Sequence, residues 1–114
     1  MPSLFGAIDA ALARGEAVAL VTIVRAQGST PQRVGARMLV FEDGRTLGTI
    51  GGGCYEQDAF GKARLALQTG RATLAQYDLN DDFAEEQGLI CGGQMDVFID
   101  PITPTPRVFI VGAG

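Results

Sequence analysis

Apolar positions along the chain fall into short segments with two different periods, and their order predicts an architecture. Leu4, Ile8, Ala11 and Leu12 recur at spacings of three and four, which marks one face of a helix. Ser3 stands where its hydroxyl would cap that helix, the stripe continues to about Arg14, and Gly15 would end it. Ala17–Val24 is a continuous apolar run, increasingly β-branched, which predicts a strand buried on both faces. Met38–Phe41 predicts a second strand, Asp43-Gly44 a hairpin turn, and Thr46–Ile50 a short third strand. Ala59, Ala63, Ala66 and Leu67 then line one face of a second helix, from about Cys54 to Thr69, with Gly70 to close it. Ala72–Tyr77 predicts a fourth strand and Met95–Asp100 a fifth. Between them, residues 80–88 read as a short acidic helical turn and Leu89–Gly93 as a tight glycine turn.

Together these elements predict an α/β chain with α+β left open: a mixed sheet of about five strands, two principal helices and one βαβ unit joining strands three and four. Residues 1–100 are expected to form one domain. Residues 101–106, with three prolines, read as a stiff linker. Residues 107–114 form an apolar run into Gly112-Ala113-Gly114, the start of a second domain cut short. A dinucleotide fingerprint needs a third glycine, a helix and a distal acid beyond this point, so no NAD binding is expected of this chain.

The hairpin makes strands two and three antiparallel, and a βαβ crossover sets strand four in the direction of strand three. Loops 26–35 and 51–54 and the approach to strand five then meet at one sheet edge. That edge gathers Gly28, Ser29, Thr30 and Arg33, then Gly51, Gly52, Gly53 and Cys54, then Cys91, Gly92 and Gly93. Consecutive glycines allow close approach to the main chain, and a helix N-terminus after them favours an anion. Each part also has a plainer use: glycine for tight packing, a lone cysteine as a small buried hydrophobe, a charge run as a solvated face.

Composition narrows the chemistry. The 114 residues include 16 Gly and 2 Cys but no His, which excludes His-based nucleophile pairs and His-ligated metal within one chain. A net charge of −4 argues against non-specific nucleic-acid binding. Arg25, Arg33 and Arg37 nevertheless lie in a window from Glu16 to Glu42 that holds no other acid, and Arg forks suit phosphate and carboxylate oxygens. No stretch is long and apolar enough to span a membrane, and residues 1–15 do not read as a signal peptide, so a cytoplasmic protein with Cys54 and Cys91 as thiols is expected.

The segments Gly28-Ser29-Thr30-Pro31, Gly35-Ala36-Arg37-Met38-Leu39-Val40, Gly48-Thr49-Ile50-Gly51-Gly52-Gly53-Cys54-Tyr55-Glu56 and Cys91-Gly92-Gly93-Gln94-Met95-Asp96-Val97-Phe98 together resemble the N-terminal domain of the XdhC/CoxI family, over nearly the whole chain. In that family a Rossmann-like domain follows, whose opening residues 107–114 resemble. The resemblance implies an accessory protein without turnover of its own. It would bind the molybdenum cofactor, shield it while a cysteine desulfurase installs the terminal sulfur, and deliver it to a molybdenum hydroxylase apoenzyme such as xanthine dehydrogenase. A homodimer is expected. By carry-over, Gly51, Gly52 and Gly53 would lie against the ligand, with Glu56 in the same motif. Arg37 would be the anion partner, and Cys54 and Cys91 would lie near the metal or its exchanged sulfur. Two readings stand beside this one: a thiol-based sulfur carrier or enzyme using Cys54 or Cys91, and a dimerisation or interaction module.

Overall fold

The computed structural model describes residues 3–28, 33–78 and 93–104. Helix α1 spans Leu4–Ala13, and the Ser3 hydroxyl caps it by accepting the Gly6 amide at 2.9 Å. Gly15 follows its end with φ of +81°, a conformation that glycine adopts without strain. Strands β1 (Val18–Gln27), β2 (Arg37–Phe41) and β3 (Thr46–Gly48) come next, then helix α2 (Gly53–Thr69), β4 (Thr73–Asp78) and β5 (Gln94–Ile102). The acidic turn expected over 80–88, most of the glycine turn before Gly93 and the tail 107–114 lie outside the described residues.

The five strands lie in the order β3-β2-β1-β5-β4. The α/β class, the strand number and the two helices match the sequence expectation. The expected mixed pairing is corrected: all four neighbouring pairs are antiparallel. Strands β3 and β4 do run in the same direction with α2 between them, as a βαβ crossover requires. They stand at opposite ends of the sheet, however, because β2, β1 and β5 fill the space between them. Strand β5 runs through Pro101 into Ile102, so the proline-rich segment begins inside the sheet. The proline is tolerated because β4 pairs with β5 only as far as Ile99, leaving one side of Pro101 without a β4 neighbour.

The helices cover opposite faces. Ala59, Ala63 and Ala66 of α2 pack on Ala19, Val21, Ile23, Met38, Val40, Ala75, Val97 and Ile99. The alanine stripe lets the helix axis sit close to the strands. On the other face, Ile8 and Ala11 of α1 pack on Val18, Leu39 and Phe41. Strand alternation divides the residues of β2 between these two cores, Met38 and Val40 to one and Leu39 and Phe41 to the other. The Ile, Leu and Met side chains in these cores are of the kind whose truncation to Ala typically costs about 2–5 kcal/mol.

Candidate functional site

Registers place the loops. Gln27, Gln94 and Asp78 form one row across β1, β5 and β4, so Gly28 leaves and Gly93 enters the sheet side by side. One row below stand Ala26, Met95 and Tyr77. Tyr55, in the first turn of α2, packs 6.3 Å from the Tyr77 ring, centroid to centroid. The start of α2 therefore lies at the same edge as Gly28 and Gly93. The chain reaches it from Gly48 at the far side of the sheet through Thr49–Gly52.

That crossing segment is built by glycine and held by one carboxylate. Gly48, Gly51, Gly52 and Gly53 all have positive φ, at 83°, 121°, 78° and 81°. A side chain at Gly48 would meet the Arg37 carbonyl at 2.6 Å, so close strand pairing alone accounts for that glycine. At Gly52 the same position opens onto free space. Glu56 folds back from α2, and its Oε1 accepts the Thr49 hydroxyl at 2.6 Å, the Ile50 amide at 2.8 Å and the Gly52 amide at 3.1 Å. The Gly51 amide donates to the Thr49 hydroxyl oxygen at 3.0 Å. Partial burial alone would raise the Glu56 carboxyl above its ordinary value, but the Thr49 hydroxyl and the turn's amides outweigh it and hold it below. The anion expected at this helix N-terminus is thus already present as a side chain of the helix itself.

A second anchor fixes the helix to the edge strand. Tyr77 donates its hydroxyl to Asp58 Oδ2 at 2.6 Å, and Lys62 donates to the same oxygen. Burial would raise the Asp58 carboxyl, and the Lys62 and Tyr77 hydrogen bonds hold it below its ordinary value. Burial, then Asp58, pushes the Tyr77 hydroxyl well above the ordinary tyrosine range.

The remaining site residues divide. Gly28, Gly51, Gly52, Gly53, Cys54 and Gly93 share the edge region, with Cys54 half-buried at the second position of α2. Arg33 is exposed just before β2, where the Gly35 amide donates to the Ile23 carbonyl, four residues short of the Gln27 row. Arg37 is not brought to the glycine turn. Its guanidinium lies 5.6 Å from the Phe5 ring centroid and donates to the Gly35 carbonyl at 3.3 Å, on the α1 face. Strand alternation is the reason, since Arg37 shares its face with Leu39 and Phe41. Ser29, Thr30, Cys91 and Gly92 lie outside the described residues, and with them the pairing of the two thiols. Among the described residues no group of three or more Cys, Asp or Glu side chains is placed to hold a metal ion. No described helix is long and apolar enough to cross a membrane.

Sequence reasoning missed Thr49 as an organiser of the turn and the Asp58–Tyr77 anchor. It named Arg25 in the acid-free window but not its partner: the Arg25 guanidinium lies 3.5 Å from Asp96. That pair lines a cavity of about 210 Å³ with Gln76, Tyr77, Asp78 and Gln94. Two carboxylates and one guanidinium make that cavity a poor seat for an anion.

The sequence model of the XdhC and CoxI family matches residues 11–78. The chain is 41% identical over 96 residues to the uncharacterized protein YqeB of Escherichia coli K12, covering 84% of this chain and 18% of that protein. It is 35% identical over 102 residues to a probable xanthine dehydrogenase subunit from Bacillus subtilis 168, covering 88% and 31%. It is 36% identical over 83 residues to the molybdenum cofactor insertion chaperone PaoD of E. coli K12, covering 73% and 26%. Among solved structures, a xanthine dehydrogenase from Bacillus halodurans superposes with a TM-score of 0.70 at 32% identity, covering 83% of this chain and 29% of that one. The chain spans less than a third of the length of each of these relatives.

Proposed function

The chain belongs to the XdhC and CoxI family, and from that premise we propose that its glycine-lined edge receives the molybdenum cofactor, holds it and passes it to a molybdenum hydroxylase apoenzyme. The observation that carries this reading is the meeting of Gly28, Gly51–Gly53 and Gly93 at one edge, in a chain related to a named cofactor insertion chaperone.

The residues at that edge fit such a cargo in two respects. Space lies open where Gly52 lacks a side chain, so a flat ligand can approach the main chain there. Arg33, exposed on the return from Gly28 to β2, would supply a fork for a phosphate oxygen. The role is that of a carrier: the chain binds and releases, and the apoenzyme draws the cargo away by offering a tighter site. The cofactor brings its own dithiolene ligands for molybdenum, which suits a chain without histidine. While bound, the metal end would face a cysteine desulfurase, with Cys54 beside it.

Anaerobic equilibrium dialysis against molybdenum cofactor released from a molybdenum hydroxylase tests the proposal. Pterin fluorescence and molybdenum should be retained together with the chain. Retention no greater than that of an unrelated acidic protein would refute it.

A further inference from the structure

The hydrogen bonds of the glycine turn fix which groups it shows to a ligand. In a trans peptide the N–H and C=O of one unit point in opposite directions, and the described chain contains no cis peptide. The Ile50 amide donates to Glu56, so the Thr49 carbonyl points away from that carboxylate. The Gly52 amide donates to the same oxygen, so the Gly51 carbonyl also points away from it. The Gly51 amide is turned inward as well, onto the Thr49 hydroxyl. Thr49 and Gly51 are both exposed. The Ile50, Gly51 and Gly52 amides are therefore all turned inward, onto Glu56 and Thr49, while the Thr49 and Gly51 carbonyls face away from that carboxylate on exposed residues. The positive end of α2 is offset by the Glu56 charge, so a second anion would meet repulsion there.

We propose that the Thr49–Gly53 turn recognises a hydrogen-bond donor edge, namely the N–H groups of an amino-substituted lactam heterocycle such as a pterin ring, and not a phosphate. Glu56 acts as a positioning residue that sets this polarity without touching the ligand. This rests on the reading that the edge receives the molybdenum cofactor, and it assigns the pterin end of that cargo to the glycine turn. The phosphate end then belongs elsewhere on the edge.

The test is a set of titrations of the ¹⁵N-labelled chain, followed by amide chemical shifts. Free pterin should move the signals of Thr49–Gly53. An analogue methylated at the lactam nitrogen and at both positions of the amino group should bind about tenfold more weakly or worse. Inorganic phosphate should leave these signals in place. In Glu56→Ala, where inward donors are released, phosphate should acquire an effect on them. Glu56→Gln keeps an acceptor oxygen and should keep the native preference, so it and the unaltered chain decide the matter if Glu56→Ala does not fold. A native turn that responds to phosphate and not to pterin, or that binds the methylated analogue as well as pterin, would overturn the inference. A parallel titration with the intact cofactor separates the two claims. Binding that phosphate displaces at the turn overturns the inference and leaves the carrier reading standing. A pterin response without cofactor binding overturns the carrier reading alone, and no response to either overturns both.

Discussion

Glu56 accepts the amide of Gly52, the N-cap residue of its own helix, at 3.1 Å. The glycine cap makes no side-chain hydrogen bond of its own, and the carboxylate one turn later reaches back to the cap residue's amide and gathers the Thr49 hydroxyl and the Ile50 amide with it. Glu56→Ala should therefore lower stability by about 1–3 kcal/mol in urea unfolding, because donors lose their acceptor at a half-buried point. Glu56→Gln should lose less, since one acceptor oxygen is kept.

The pH dependence of this brace follows from its direction. The Glu56 carboxyl is held below its ordinary value in the folded chain, so its contribution is fully present above the unfolded value, about 4.3. It is lost as pH falls through the lowered folded value. The difference in stability between the native chain and Glu56→Gln should shrink on acidification below about pH 4, as the native carboxylate takes up its proton. Urea midpoints measured from pH 7 to pH 3 check this, and a difference that widens on acidification would contradict it.

The Tyr77 hydroxyl at 2.6 Å from Asp58 ties the edge strand to α2. Tyr77→Phe leaves Asp58 its contact with Lys62 and should cost about 1–2 kcal/mol. Because the folded-state value of Tyr77 is raised, its contribution is present below the unfolded value near 10 and is lost as pH rises beyond it. Absorbance titration should show Tyr77 still protonated in the folded chain at a pH where an unfolded tyrosine has ionised.

Two glycines should respond differently to alanine. At Gly48 the new side chain meets the Arg37 carbonyl at 2.6 Å in addition to a positive φ. At Gly52 it carries only the positive φ and projects into open space. Gly52 has φ 78° and ψ −175°, a conformation essentially reserved for glycine, so Gly52→Ala should cost about 1–3 kcal/mol and leave a folded chain with weakened cofactor retention. Gly48→Ala should cost more, because backbone must move. Thermal melts beside dialysis separate stability from retention.

Arg37 lies against Phe5 on the α1 face. Arg37→Ala should cost about 0.5–1 kcal/mol of stability, as befits an exposed cation–π contact, and should leave cofactor retention close to native. A large loss of retention with unchanged stability would return Arg37 to the binding site.

Local pattern carried much of the fold. The Ser3 cap, the Asp43-Gly44 hairpin and the alanine stripe at 59, 63 and 66 are short-range signals, and each matches an observed element. The convergence of the loops was also legible, because strand direction follows from connection type. The place of β5 between β1 and β4 was not legible, since pairings such as Thr22 with Phe98 join residues far apart in sequence and leave no local trace. The role of Glu56 was hidden for a related reason. A capping box joins N-cap and N3, whereas here Glu56 reaches past a glycine cap to Thr49, seven residues earlier. The face of Arg37 was readable from the alternation Arg37, Leu39, Phe41, once that face was known to be the one under α1.

Mapping the molybdenum cofactor onto the labelled chain tests the central claim most directly. The account predicts that adding the cofactor moves the amide signals of Gly28, Gly51–Cys54 and Gly93 together, and leaves those of Leu65–Thr73, at the opposite end of α2, in place. Shifts that cluster at Leu65–Thr73, or a spectrum that the cofactor leaves unchanged, would contradict it.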